Sequence, residues 1–128
     1  MENLDVRVLR RLRAWRQSGQ GALLGTVVRT WGSSPRAIGS IMALAEDGAV
    51  VGSVSGGCIE DDLVSRHSLL GGQAMPGGAP RLVRYGVTAD EAHRFGLPCG
   101  GTLELLLEYD PDADSLAALV EALEQGRL

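Results

Sequence analysis

Apolar residues return every three or four positions at the start of the chain: Leu4, Val8, Leu12 and Trp15, with Arg7, Arg10, Arg11 and Arg13 largely on the other side. This spacing predicts an amphipathic helix ending near Ser18-Gly19. From Ala22 to Trp31 the pattern changes to a β-branched and apolar run carrying Leu23, Leu24, Val27 and Val28, which reads as a buried strand. Gly32-Ser33-Ser34-Pro35-Arg36 breaks it. A second strand is predicted from Ser40 to Ala45, a tight turn at Glu46-Asp47-Gly48, and a hairpin partner from Ala49 to Val54.

After Ser55-Gly56-Gly57 the helical period resumes. Ile59, Leu63, Arg66 and Leu70 form a stripe, and Glu60, Asp61 and Asp62 fall in the first turn, where the helix dipole favours acidic side chains. Gly71 to Pro80 reads as a loop and Arg81 to Tyr85 as a short strand. Thr88 and Glu91 make a capping-box pattern for a short helix that stops at Gly96. Thr102 to Tyr109 alternates Leu103, Leu105 and Leu107 with Glu104 and Glu108, as a strand does. Leu116, Leu119, Val120 and Leu123 then mark a C-terminal amphipathic helix. The order predicts a single α/β or α+β domain over residues 1–128, a mixed β-sheet flanked by amphipathic helices.

Composition narrows what such a domain does. At 128 residues and 45% hydrophobic content the chain fits one domain with a real core. A formal net charge of -4 argues against a nucleic-acid partner, which calls for a basic face. All twelve basic residues are arginines; compositional bias accounts for this first, although Arg also suits phosphate through its bidentate fork. No stretch reaches the roughly 18 apolar residues that span a bilayer. The N-terminus lacks the basic region and apolar run of a signal peptide. The expectation is a cytoplasmic protein whose two cysteines stay reduced.

The eighteen glycines fall at punctuated places, several as pairs: Gly56-Gly57, Gly71-Gly72, Gly77-Gly78 and Gly100-Gly101. Two of these pairs adjoin the two cysteines. Cys58 follows Gly56-Gly57 at a predicted helix start, where free N–H groups and the dipole lower a thiol pKa and attract anions. Consecutive glycines also permit a backbone nest for phosphate oxygens. Glu60, Asp61 and Asp62 partly oppose a thiolate there.

Cys99, in Gly96-Leu97-Pro98-Cys99-Gly100-Gly101-Thr102, is nearly the mirror image: Gly-Gly-Cys in one turn, Cys-Gly-Gly in the other. Both turns sit at predicted strand ends and are expected to converge at one edge of the sheet, pairing soft sulfur with phosphate-binding backbone. The plainer alternative is a small buried cysteine beside turn glycines. Ser33, Ser34 and Arg36 offer hydroxyls and a guanidinium to an anion, or form an ordinary proline turn. His67 and His93 make no short-spaced ligand cluster with the cysteines, so a structural zinc site has little support. Walker A, G-x-G-x-x-G and G-x-S-x-G motifs are all absent. Trp15 and Trp31 read as core or edge packing.

Four segments in order carry a resemblance: Gly32-Ser33-Ser34-Pro35-Arg36 with Gly39 and Met42, then Gly52 to Glu60, Arg84-Tyr85-Gly86-Val87, and Gly96 to Glu104. Together they span about residues 23 to 108 and resemble the N-terminal domain of the XdhC/CoxI family, the accessory proteins of xanthine dehydrogenase and carbon monoxide dehydrogenase. The resemblance implies binding of molybdenum cofactor, as molybdopterin or its dinucleotide form, and help with its sulfuration and insertion. It implies as partners a molybdenum hydroxylase and a cysteine desulfurase, and the role of a chaperone rather than an enzyme.

On that reading Cys58 and Cys99 contact molybdenum or carry sulfur. Ser33, Ser34, Arg36, Ser55, Gly56, Gly57, Gly100 and Gly101 hold the pterin or its phosphate. Many members carry a second, Rossmann-like domain; here it is expected to be absent, its place taken by a separate partner or by a homodimer formed through the end helices. Two rival functions stay open. One is a sulfurtransferase or thiol redox enzyme using Cys58 or Cys99, against which no neighbouring histidine activates either thiol. The other is a passive scaffold for protein–protein contact.

Overall fold

A computed structural model describes residues 4–31, 37–54, 58–69, 72, 77–85 and 102–126, with Cys58 described in its backbone. The elements are α1 (Leu4–Gln17), β1 (Ala22–Trp31), β2 (Ile41–Ala45), β3 (Val50–Gly52), α2 (Cys58–His67), β4 (Arg81–Tyr85), β5 (Thr102–Tyr109) and α3 (Ala113–Glu124). The five strands form one sheet in the order β3-β2-β1-β5-β4, antiparallel at each pairing. The fold is therefore α+β. The expected mixed sheet gives way to an antiparallel one because β1 and β3, which run the same way, are separated by β2. The predicted short helix between Thr88 and Gly96 lies outside the described residues.

Period-two alternation sorts the sheet's side chains onto two faces. On one face Leu23, Val27, Met42, Leu44, Leu103, Leu105 and Leu107 meet Ile59 and Leu63 of α2 in a core with Val54, Tyr85 and Tyr109. On the other, Ala22, Ala43 and Ala45 leave room for Val8, Leu9, Leu12 and Trp15 of α1, and Leu116 and Val120 of α3 close that layer. The buried apolar side chains of both end helices are thus spent inside the chain, whereas Leu4 and Leu119 stay exposed. Gly52, at the end of β3, has φ +83°, and a Cβ there would stand 2.5 Å from the Ile41 carbonyl oxygen and 2.7 Å from Val8 Cγ2. Only glycine lets α1 and β2 approach so closely.

A β-bulge interrupts β1. Val27 pairs with Leu105 but Arg29 pairs with Glu104, so the register shifts across Val28. One extra residue reverses the alternation: Leu23 and Val27 face α2, whereas Arg29 and Trp31 pair with Glu104 and Thr102 and so share the opposite face. Among the described residues no helix covers that face at β4 and β5; Leu82 is 58% and Trp31 37% exposed.

Candidate functional site

Strand directions decide where the motifs lie. In this antiparallel order the C-terminal ends of β1, β3 and β4 and the N-terminal end of β5 share one end of the sheet. Chain connectivity does the rest: Ser33, Ser34 and Arg36 follow β1, Ser55, Gly56 and Gly57 follow β3, and Cys99, Gly100 and Gly101 directly precede β5. These nine residues lie outside the described ones. What the described residues fix is the frame from which all three segments depart. Trp31, the last residue of β1, is in register with Thr102, the first of β5, and Leu103 is in register with Tyr85, the last of β4.

Cys58 opens α2, a ten-residue helix, and so stands at the positive end of its dipole. Two contacts anchor that helix. Glu60, buried two residues beyond Cys58, receives the Val54 N–H on Oε1 at 3.3 Å and the Ser53 hydroxyl on Oε2 at 3.5 Å. The residues on either side of 55–57 are thereby tied by one carboxylate. Asp62, one helical turn after Cys58, accepts the Tyr85 hydroxyl at 2.8 Å and pairs with Arg66 at 3.1 Å. Burial, reinforced by this bond to Asp62, pushes the Tyr85 phenol well above its ordinary pKa. The start of α2 is thus held to the exit of β3 by one acid and to the exit of β4 by another. Glu60 and Asp62, read from the sequence only as first-turn charges, are its anchors. An acid at the third helical position, able to reach back to backbone ahead of the helix, was the signal for the first. No sequence signal pairs Asp62 with Tyr85.

His67, at the other end of α2, is packed rather than solvated: it is buried, its Nδ1 lies 3.2 Å from the Leu63 carbonyl oxygen, and its ring centroid is 6.0 Å from that of Tyr109. Burial lowers its pKa. His93 lies outside the described residues. Trp15 belongs to the core, whereas Trp31 is partly exposed at the strand end beside Arg29 and Arg84. Among the described residues no three His, Cys, Asp or Glu side chains are grouped to hold a metal ion, and no helix is long and apolar enough to cross a membrane.

The family described as "XdhC and CoxI family" matches residues 15–86, a stretch that includes the segments after β1 and β3. The chain is 37% identical over 110 residues to the molybdenum cofactor insertion chaperone PaoD of Escherichia coli (strain K12), covering 86% of this chain and 33% of that protein. It is 33% identical over 79 residues to a probable xanthine dehydrogenase subunit of Bacillus subtilis (strain 168), covering 62% of this chain and 23% of that one. A crystal structure of a xanthine dehydrogenase from Bacillus halodurans superposes with a TM-score of 0.70 at 29% identity, covering 97% of this chain and 36% of that one. The chain spans about a third or less of the curated relatives it matches.

Proposed function

The chain belongs to the XdhC and CoxI family, and from that membership we propose that it is a cytoplasmic maturation factor that binds molybdenum cofactor as cargo and assists its sulfuration and insertion into a molybdenum hydroxylase. The observation that carries this reading is the common end of the sheet at which β1, β3 and β4 stop and β5 starts. The three glycine-, serine- and cysteine-bearing segments all connect to it. The 37% identity to a molybdenum cofactor insertion chaperone supports the same reading. The donor set suits the cargo: soft thiols for molybdenum or sulfur, and backbone amides of glycine turns with a helix N-terminus for phosphate.

In this proposal Cys58 and Cys99 contact the metal or carry the sulfur. Ser33, Ser34, Arg36 and Ser55 hold the pterin or its phosphate with the amides of Gly56, Gly57, Gly100 and Gly101. A cysteine desulfurase supplies sulfur, a hydroxylase of the xanthine or carbon monoxide dehydrogenase type receives the cargo, and a Rossmann-like domain completes the pocket.

Anaerobic titration of the protein with molybdenum cofactor, beside Cys58→Ala and Cys99→Ala, tests this. Saturable binding weakened by either substitution is the expected result. Absence of binding, both alone and with a Rossmann-like partner domain added, would overturn it. Incubation with a desulfurase separates the roles of the thiols: a sulfur carrier gains about 32 mass units on one cysteine, whereas a pure binder does not.

A further inference from the structure

The face of the sheet turned away from α2 carries a cluster that the cysteine turns do not explain. Arg29 and Arg84 flank Glu104 in register on β1, β5 and β4. Both guanidinium groups also approach the Trp31 ring, Arg84 at 4.7 Å and Arg29 at 5.3 Å from its centroid. The indole is 37% exposed. Arg84 meets Glu104 at a long 3.4 Å, with half of its side chain in solvent. Arg29 has no carboxylate within ion-pair distance among the described residues. Two cations against one acid leave an excess positive charge beside an aromatic ring. An arginine that lays its plane against an indole still has N–H groups on its edge for phosphate oxygens. Leu82, in register with Leu106 on the same face, extends the patch with apolar surface.

Position selects the ligand. Trp31 and Thr102 are the last and first residues of their strands, so the cluster stands at the rim from which the motif segments leave. It lies on the opposite face from α2, hence from the helix that Cys58 opens. It is therefore placed for the far end of an extended cargo and not for its sulfur end. We propose that Arg29, Trp31 and Arg84 form a subsite for a phosphate joined to a planar heterocycle, and that this subsite takes the nucleotide tail of the dinucleotide form of the cargo. The assignment of cargo rests on the function proposed above; the affinity for an aromatic phosphate does not.

Titration with guanosine monophosphate, followed by tryptophan fluorescence, tests the subsite, because Trp15 is buried and Trp31 is the exposed reporter. The expected result is saturable quenching that is absent in Trp31→Phe and shifted at least ~10-fold to weaker binding in Arg29→Gln/Arg84→Gln, with inorganic phosphate alone binding more weakly. Quenching that persists in Trp31→Phe, or an affinity unchanged in the double variant, would overturn it. Arg29→Gln alone leaves the Arg84–Glu104 pair intact and guards against a folding defect. A second titration with the dinucleotide and tail-less forms of molybdenum cofactor separates the two proposals. Loss confined to the dinucleotide form in the double variant supports the tail assignment, and equal binding of both forms by wild type and double variant refutes it while leaving the chaperone reading intact. Guanosine monophosphate binding at Trp31 without binding of either cofactor form supports an aromatic-phosphate site and overturns the cargo reading.

Discussion

The Tyr85 hydroxyl donates a 2.8 Å hydrogen bond to Asp62, fastening the last residue of β4 to the second turn of α2. One bond thus links the helix that Cys58 opens to the strand that leads toward Cys99. It ties that helix to a strand whose last residue is in register with Leu103 of β5.

Tyr85→Phe keeps the ring in the core and removes the hydroxyl that makes this bond. The expected loss is about 1–2 kcal/mol, since the acceptor is charged, read as a lower urea midpoint with an unchanged slope. The phenol is held neutral in the folded state above its ordinary pKa of 10.0. Its stabilisation is therefore complete below pH 10 and declines as pH rises beyond it, because the unfolded chain releases the proton first. The wild type should lose stability above pH 10 more steeply than Tyr85→Phe; identical alkaline profiles would contradict the coupling.

Glu60→Ala leaves the buried Val54 N–H without its carboxylate, at a cost of about 1–3 kcal/mol. Glu60→Gln retains an acceptor for that N–H and should recover most of the stability. If Glu60 sets the geometry of the turn before Cys58, cofactor affinity should fall in the Ala variant and return in the Gln variant. A titration that tracks unfolding alone would reduce Glu60 to a structural prop.

Gly52→Ala sets a methyl group against the Ile41 carbonyl and Val8 at a backbone angle that L side chains rarely adopt. A destabilisation of about 2–4 kcal/mol is expected. Gly25→Ala offers a contrast: its nearest neighbour is the flexible Met42 side chain, with Sδ at 3.1 Å, and the loss should be smaller. Thermal melts of the two variants side by side check the order.

His67 supplies the acid limb. Burial holds its ring neutral and lowers its pKa from 6.5. Below pH 6.5 the unfolded chain takes up a proton before the folded one does, so stability falls as pH drops through that value. His67→Gln should flatten urea midpoints between pH 7 and pH 5; an unchanged slope would assign the acid sensitivity to other groups.

Much of the frame was legible in the sequence because period-two and helical patterns report burial directly. β1, β4 and β5 run from Ala22 to Trp31, Arg81 to Tyr85 and Thr102 to Tyr109, as the apolar runs predict. β3 is shorter than its apolar run, ending at Gly52, where a positive φ turns the chain out of the sheet. The sheet's antiparallel order was not legible, since pairing partners are set by packing between distant segments. The Cys58 and Cys99 motifs were found through composition, and the strand order puts the end of β3 and the start of β5 at one end of the sheet. The Arg29–Trp31–Arg84 cluster was hidden because a strand pattern counts alternation, and the bulge at Val28 changes the count.

That bulge gives β1 a shifted reading frame. Upstream of Val28, odd-numbered residues speak to α2; downstream they address the open face. Val28 is the spare letter, and striking it out leaves Val27 opposite Leu105 and Arg29 opposite Glu104, as they already stand. Striking out Thr30 instead would bring Trp31 opposite Leu103 and turn the indole off the open face toward the core. The strand can therefore lose one codon at 28 and keep its meaning, whereas the same loss two codons later garbles it.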